Sequence, residues 1–408
     1  MSGLLLLTSL ALGAWEQLIS GTRAELLAVH FPTGTQVGYA VGTDTTGFGT
    51  ILKTTDGGNT WLPESTGMLN GVYDVYFTND STGYAVSGGS LLRTTDGGAN
   101  WNSKGVPGMQ RLNTVQFPEN GEAGYIAVTP QGGGARLMKT TDGGGNWRTI
   151  PVGNPGNTSF GAEFANDTIG VVFGYSNFII GSTDGFDSIQ YYQGAQTNGD
   201  ILAVSLSPED PSRGYLVGID STGGVVRFTA DGGATVWQVV RCSTVTALYG
   251  VDVPTSDVAY ICGAEGFVGR TVSDTDVWAT TVPAGLNARM HGLCFPNGPD
   301  TGYAVGSDGT ILRTYDGGIP LIPGVNERSV PAIARPGIRV LSNPSGRGIS
   351  FTAQTRANVL VSDALGRVVA RQTAARGLNF VPLSKSGVYV LKVDADGLSM
   401  TQKFVVQR

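Results

Sequence analysis

Hydrophobic and polar residues alternate over short distances along most of this chain, and the alternation repeats. A strand-like run Leu27-Ala28-Val29-His30-Phe31 ends in a large apolar residue. Its counterparts end at Phe77, Phe117, Phe164, Leu206, Val253 and Phe295. Each is followed by a Gly-Tyr-Ala-Val-Gly stretch (38–42) or a variant, beginning at Gly83, Gly124, Gly170, Gly214, Val258 and Gly302. A third run, Gly49-Thr50-Ile51-Leu52-Lys53-Thr54, leads into the motif Thr-Asp-Gly-Gly-Asn-Thr-Trp (55–61). Aromatic and β-branched runs bounded by Gly and Asp read as strands. A fourth strand is expected to start at the Trp, so each repeat supplies four.

The motif aspartates are Asp56, Asp96, Asp142, Asp184, Asp231, Asp274 and Asp316, separated by 40, 46, 42, 47, 43 and 42 residues. A steady period in the forties is the mark of a propeller or solenoid array. Seven repeats of four strands predict an all-β, seven-bladed propeller over residues 15–318. Spacing also predicts how the ring closes. From Trp61 to Phe77 and from Trp101 to Phe117 is 16 residues, as it is from Trp15 to Phe31. Trp15 thus stands where a fourth-strand Trp belongs, although no repeat precedes it, and the seventh motif lacks its Trp. Residues 15–20 are expected to supply the outer strand of a last blade whose other three strands come from about 290–314. That arrangement leaves no open sheet edge between the ends of the array. The fourth motif also lacks a Trp, and Ile189 to Tyr192 take its place.

The motif resembles the Asp-box, or BNR repeat, of propeller proteins. Its carboxylate can accept hydrogen bonds from turn amides, and its glycines permit positive φ. The seven aspartates therefore read as turn staples, not catalysts, and the alternating acidic ligands of a calcium loop are missing. The whole repeat, with Ser20-Gly21-Thr22 ahead of the first strand, resembles the photosystem II stability/assembly factor family. That resemblance implies a propeller with its ligands on the axial face, away from the motif turns. Plant and cyanobacterial members are assembly chaperones of a membrane protein partner and use a basic patch.

The two ends read differently. Leu4 to Ala14 is an apolar run ending in small residues, too short to span a bilayer, and resembles the core of a signal peptide over residues 1–14. It carries no preceding Lys or Arg. Residues 319–337 contain Pro320, Pro323, Pro331 and Pro336 and read as a linker. Residues 338–408 return to alternating strands and predict a small immunoglobulin-like sandwich. The Asn343-Pro344 start, the Asp363-Ala364-Leu365-Gly366-Arg367 turn, the Gly387-Val388-Tyr389 strand and the basic-apolar end resemble the type IX secretion C-terminal sorting domain. That implies recognition by outer-membrane secretion machinery, and a route through the periplasm to the cell surface or medium.

Composition narrows the function. Net charge is −6, so the chain lacks the basic footprint of a nucleic-acid binder. The 62 glycines and a charged fraction of only 14% suit short strands and tight turns. Cys242, Cys262 and Cys294 fit no metal spacing, and a Cys262–Cys294 bridge stays open. No phosphate loop, nucleophile elbow or zinc-protease motif is present, and no cofactor is expected. Glycosidases work through two carboxylates. Asp74, Glu163 and Asp252 lie on first-strand segments without forming an evident pair, and His30 and His291 do not occupy matching positions. Arg23, Arg111 and Arg289 precede inner strands and are the candidate binding residues at the channel mouth, with Glu25 and Asp200 in matching places. The expectation is a secreted, monomeric, non-catalytic propeller that binds a protein or glycan. A sialidase-like hydrolase and a purely structural surface protein are the alternatives.

Overall fold

The computed structural model describes residues 15–318 with breaks at 65–69, 120, 154–157, 190–198, 236, 243–245, 274–275, 280–281 and 284, and strands between 338 and 406. The signal-peptide and linker segments and Asp274 lie outside the described residues. The chain divides into two units, 1–321 and 322–408.

The first unit is the propeller. Its inner strands are Glu25–His30, Val72–Phe77, Met109–Gln116, Ser159–Phe164, Asp200–Leu206, Leu248–Thr255 and Met290–Cys294. Each opens an antiparallel sheet, and blades 1, 2, 3 and 5 have four strands in sequence order. The Gly-Tyr-Ala-Val runs form the second strands and are almost wholly buried, because neighbouring blades cover both faces. Every inner strand carries a register shift at the matching position, at Leu27, Tyr73, Asn113, Phe160, Leu202, Tyr249 and His291, and those of blades 3 and 6 carry a second one. A bulge at a fixed place bends and twists each strand alike around the axis.

Ring closure follows the counting argument. Glu16–Leu18 pairs antiparallel with Ile311–Thr314, completing a sheet with Gly302–Gly306 and Met290–Cys294. Trp15 is 2% exposed and meets Phe295 edge-on at 5.9 Å. Trp61 meets Phe31 at 6.0 Å and Trp101 meets Phe77 at 5.8 Å in the same T-shaped geometry. Arg313 ties the closing strand down through Nε to Glu16 Oε1 at 2.8 Å.

Three details differ from the sequence reading. The fourth strands of blades 1 to 3 start one residue after the Trp, at Leu62, Asn102 and Arg148, where ladder pairing with Lys53, Arg93 and Lys139 begins. Blade 4 has three strands among the described residues, and residues 190–192 of its expected fourth strand lie outside them. Blade 6 gains a fifth strand: Arg241–Cys242, on the way from blade 5, pairs parallel with Asp276–Ala279. The second unit holds two antiparallel sheets of three and four strands. Val359, Val361, Ala374, Val381 and Leu383 are buried there.

Replacing Trp15 by Ala is expected to destabilise the propeller by about 3–5 kcal/mol, the range for losing a large buried aromatic, and Trp61→Ala should cost a similar amount. Denaturant unfolding of both variants checks this. A loss below about 1 kcal/mol at Trp15 would mean that it is not part of the seventh blade's core.

Candidate functional site

The place of the aspartate turns decides which face of the propeller is free. In blade 1, Thr54 Oγ1 donates to Asp56 Oδ1 at 2.8 Å, and the amide of Gly58 donates to Thr54 Oγ1 at 2.8 Å. Asp56 also accepts from the Thr60 amide and hydroxyl at 2.9 and 2.8 Å. Equivalent bonds recur at Asp96, Asp142, Asp184 and Asp231, with the Asn100 and Asn146 side-chain amides in place of the Thr60 hydroxyl at the first two. At Asp316 the Thr314 hydroxyl donates to the carboxylate, and the Gly318 amide donates to Thr314 Oγ1 and to Asp316. Hydrogen bonds hold the Asp56, Asp96 and Asp142 carboxyls below their usual range, Asp142 at about 2. These aspartates are spent on their own turns.

The turns also dock the next blade, which the sequence reading did not foresee. Tyr39 stacks on Phe77 of blade 2 at 3.6 Å and donates its hydroxyl to Gly97 O at 2.9 Å. Lys53 Nζ donates to the same carbonyl at 2.6 Å. Tyr84 reaches Gly143 O at 2.6 Å in the same way. Across the closing seam, Tyr303 and Arg313 both donate to Gly57 O, at 2.8 and 2.7 Å. The signal was in the repeats: the Tyr of Gly-Tyr-Ala-Val and the Lys or Arg before Thr-Thr-Asp recur together.

The turn glycines bond to the loop between the first two strands of their own blade, as Gly57 does to Gln36 and Gly143 to Glu122. At the other end, turns between second and third strands meet the approach to the next inner strand. Gly309 donates to Ala24, Gly266 to Ala288 and Asn177 to Gly199. Arg23, Arg111 and Arg289 lie at this second end, and all three are exposed. They are not equivalent. The Arg111 guanidinium lies over the Tyr73 ring at 3.9 Å. Arg289 Nη2 is 3.5 Å from Glu25 Oε1, which also meets His291 Nε2 at 3.1 Å. Arg23 lines a shallow recess with Ser20, Gly21, Thr22 and Asp308. The structure thus places the three on one face but pairs one of them with an acid. Burial lowers the His291 pKa, and Glu25 opposes that effect.

Between the two ends runs the channel wall, and here the acids gather. Asp74 Oδ2 accepts the Val115 amide of blade 3 at 2.9 Å. Asp252 Oδ2 accepts the Phe295 amide of blade 7 at 2.6 Å. Glu163 accepts from Gln116 Nε2 of blade 3 and from the Leu206 amide of blade 5. Burial pushes the Asp74 and Asp252 carboxyls up to about 7 and Glu163 up to about 8, with the hydrogen bonds opposing. His30 is pulled down to about 4 by burial, and its Nε2 meets Phe77 O at 3.1 Å. Its ring packs at a tilt against Tyr76, 4.4 Å between centroids. None of the three cysteines is in a disulfide, so the Cys262–Cys294 bridge is not formed: Cys262 Sγ turns to Met290 O at 3.4 Å. Among the described residues, no group of His, Cys, Asp and Glu is arranged to hold a metal.

Residues 66–160 match the family model described as photosynthesis system II assembly factor YCF48, and residues 341–407 match the secretion system C-terminal sorting domain. No curated protein matches. Solved structures that resemble the chain include YCF48 bound to D1 peptide, 18% identical with a TM-score of 0.59, covering 74% of this chain and 96% of that one. YCF48 from Cyanidioschyzon merolae is 19% identical with a TM-score of 0.58, covering 74% and 99%. At these identities the likeness carries the fold, the seven-bladed propeller. The sorting-domain match places the protein outside the cell or on its surface.

Tyr39→Phe is expected to cost about 0.5–1.5 kcal/mol, because Lys53 still satisfies the Gly97 carbonyl. Tyr39→Phe with Lys53→Met should cost more than the sum of the two single changes, since it leaves that carbonyl without either donor. Thermal unfolding of the four-member cycle measures the excess; strict additivity would remove the clamp reading.

Proposed function

We propose that this protein is an exported, non-catalytic propeller whose arginine-bearing axial face binds a protein or glycan partner, with residues 338–408 serving as the address read by the type IX outer-membrane machinery after passage through the periplasm. The observation that carries the reading is the exposed Arg111 guanidinium, stacked on Tyr73 at 3.9 Å on the face opposite the aspartate turns. An aromatic ring under a guanidinium fixes its plane and leaves its edge donors for a carboxylate or for carbonyl oxygens. One similar structure is described as YCF48 bound to D1 peptide, which supports a polypeptide as one class of partner. The chain is taken to act as a monomer.

The absence of catalysis is supported by how the acids are used. Asp74, Glu163 and Asp252 each accept a main-chain amide of the neighbouring blade, so their lone pairs serve the ring. A second reading, glycoside hydrolysis, draws on one observation: Glu163 is raised to about 8 with Asp252 nearby, as a general acid requires.

Surface and membrane extracts should be captured by the wild-type propeller and lost, by about tenfold or more, on the Arg23→Ala/Arg111→Ala/Arg289→Ala protein. Unchanged capture would remove the arginine face from the proposal. A panel of sialosides and polysaccharides should show no turnover; hydrolysis abolished by Glu163→Gln would replace the binding reading with the enzymatic one.

A further inference from the structure

The axial mouth is not uniform around the ring. Where blades 6, 7 and 1 meet, Glu25 engages both Arg289 and His291. Across blades 2 to 4 the chemistry is left open. The Arg111 guanidinium lies over the Tyr73 ring at 3.9 Å, and among the described residues no carboxylate pairs with it. Two residues on, at the register shift of the same strand, Asn113 is 7% exposed. Its Nδ2 donates to Thr129 Oγ1 at 3.2 Å and to Ser159 O of blade 4 at 3.0 Å, while its Oδ1 meets no donor among the described residues. A buried amide held by its donors, with its acceptor left over, is fitted to receive a bond from a ligand. Beside Ser159, Phe160 packs against Tyr175 with 4.0 Å between centroids, and Tyr175 is 43% exposed. The following amide, of Ser176, donates to Asp200 Oδ1 at 2.9 Å. Strand pairing keeps this order, since Arg111 lies opposite Thr129 and Ser159 opposite Gly174. A strip of linked groups thus runs from cation to amide acceptor to aromatic pair to acid.

Each part of the strip selects a chemical group. A guanidinium held over a ring presents its edge donors to a carboxylate. Asn113 Oδ1 and the Asp200 carboxylate accept from hydroxyls. Aromatic faces carry negative potential and favour the C–H face of a saturated ring. A polypeptide added as a strand is disfavoured, because that mode draws on unpaired main-chain groups. Along the channel wall the amides of Val115, Ala162, Phe164, Leu206, Val253 and Phe295 are already taken by side chains of the preceding blade. Recognition at this mouth falls to side chains, and a hydroxyl-rich ring bearing a carboxylate satisfies all of them at once.

Resting on the reading of the arginine face as a binding surface, we propose that its sector on blades 2 to 4 is a subsite for a carboxylated sugar, a uronate or sialate unit of an acidic glycan. Arg111 takes the carboxylate, Asn113 and Asp200 take hydroxyls, and Tyr175 with Phe160 takes the ring face. Arg289, already engaged by Glu25, and Arg23, whose recess has no aromatic lining, add little.

The test titrates the full chain by calorimetry with uronate- and sialate-bearing oligosaccharides and with their methyl esters, which keep the rings and remove the charge. The acids should bind about tenfold or more tightly than the esters, the difference expected for a charge-assisted bond. Arg111→Met should abolish that preference, and Arg111→Lys should restore only part of it, since an ammonium keeps the charge without the planar fork. Tyr175→Ser should weaken acid and ester alike, and Arg23→Ala and Arg289→Ala should leave both nearly unchanged. Thermal unfolding coincident with wild type shows that the variants are folded. The tighter of the two acid classes tells which glycan is the source. Absence of binding by every acidic sugar, equal affinity for acids and esters, or a loss on Arg289→Ala equal to that on Arg111→Met would overturn the subsite. If a polypeptide is captured from extracts and lost on the triple arginine variant while no sugar binds, the binding face stands and the sugar assignment falls.

Discussion

The propeller's cohesion depends on one contact that recurs at five of its seams, a tyrosine hydroxyl donated to a carbonyl of the next blade. A blade offers a tyrosine hydroxyl, and at several seams an ammonium or guanidinium as well, to a turn carbonyl of the next blade, while the tyrosine ring stacks on that blade's phenylalanine. The bond is directional and the stack is broad. Together they fix both the angle and the separation of neighbouring blades, which burial alone would leave free to slide. Repeating that relation around a ring explains why most repeats keep a Tyr and a basic residue in step, although blade 4 carries Val171 where the Tyr would stand. The aspartate's part is local: it holds the turn so that the glycine carbonyl points back to the preceding blade.

Closure applies the same device between the two ends of the unit. Tyr303 and Arg313 of the last blade grip Gly57 of the first, as Tyr39 and Lys53 grip Gly97. Arg313 is shared further, with Glu16 of the N-terminal strand and with Asn59. One buried guanidinium thus joins the last blade's third strand, its borrowed outer strand and the first blade's turn. Lys53 and Lys139 bond only across to the next blade, whereas a guanidinium has donors enough for all three partners.

With the aspartate turns and rim spent on cohesion, the free chemistry is confined to the axis and its open end. The axis carries acids that bind amides, and the mouth carries arginines held by unlike means: Arg111 by an aromatic ring, Arg289 by Glu25. Export fits this economy of groups. A protein destined for the cell surface or medium gains from a closed ring with no free sheet edge between its ends, since an unpaired edge is a template for unwanted pairing.

The sequence by itself determined the number of blades, their strand order and the way the ring closes. These follow from short-range alternation and from spacing: Trp15 lies 16 residues before Phe31, as Trp61 does before Phe77. It also determined that the aspartates serve turns, because the motif's partners are all within four residues. Only the tertiary structure decided what Asp74, Glu163 and Asp252 do. Their partners, Val115, Leu206 and Phe295, lie 41 to 43 residues away, across a seam. An acid that looks like a catalytic candidate in one strand becomes a tie between blades once the next blade's amide is placed against it. The same holds for the mouth, where nothing local distinguishes Arg289 from Arg111. Glu25 reaches Arg289 only because the first blade folds back beside the seventh.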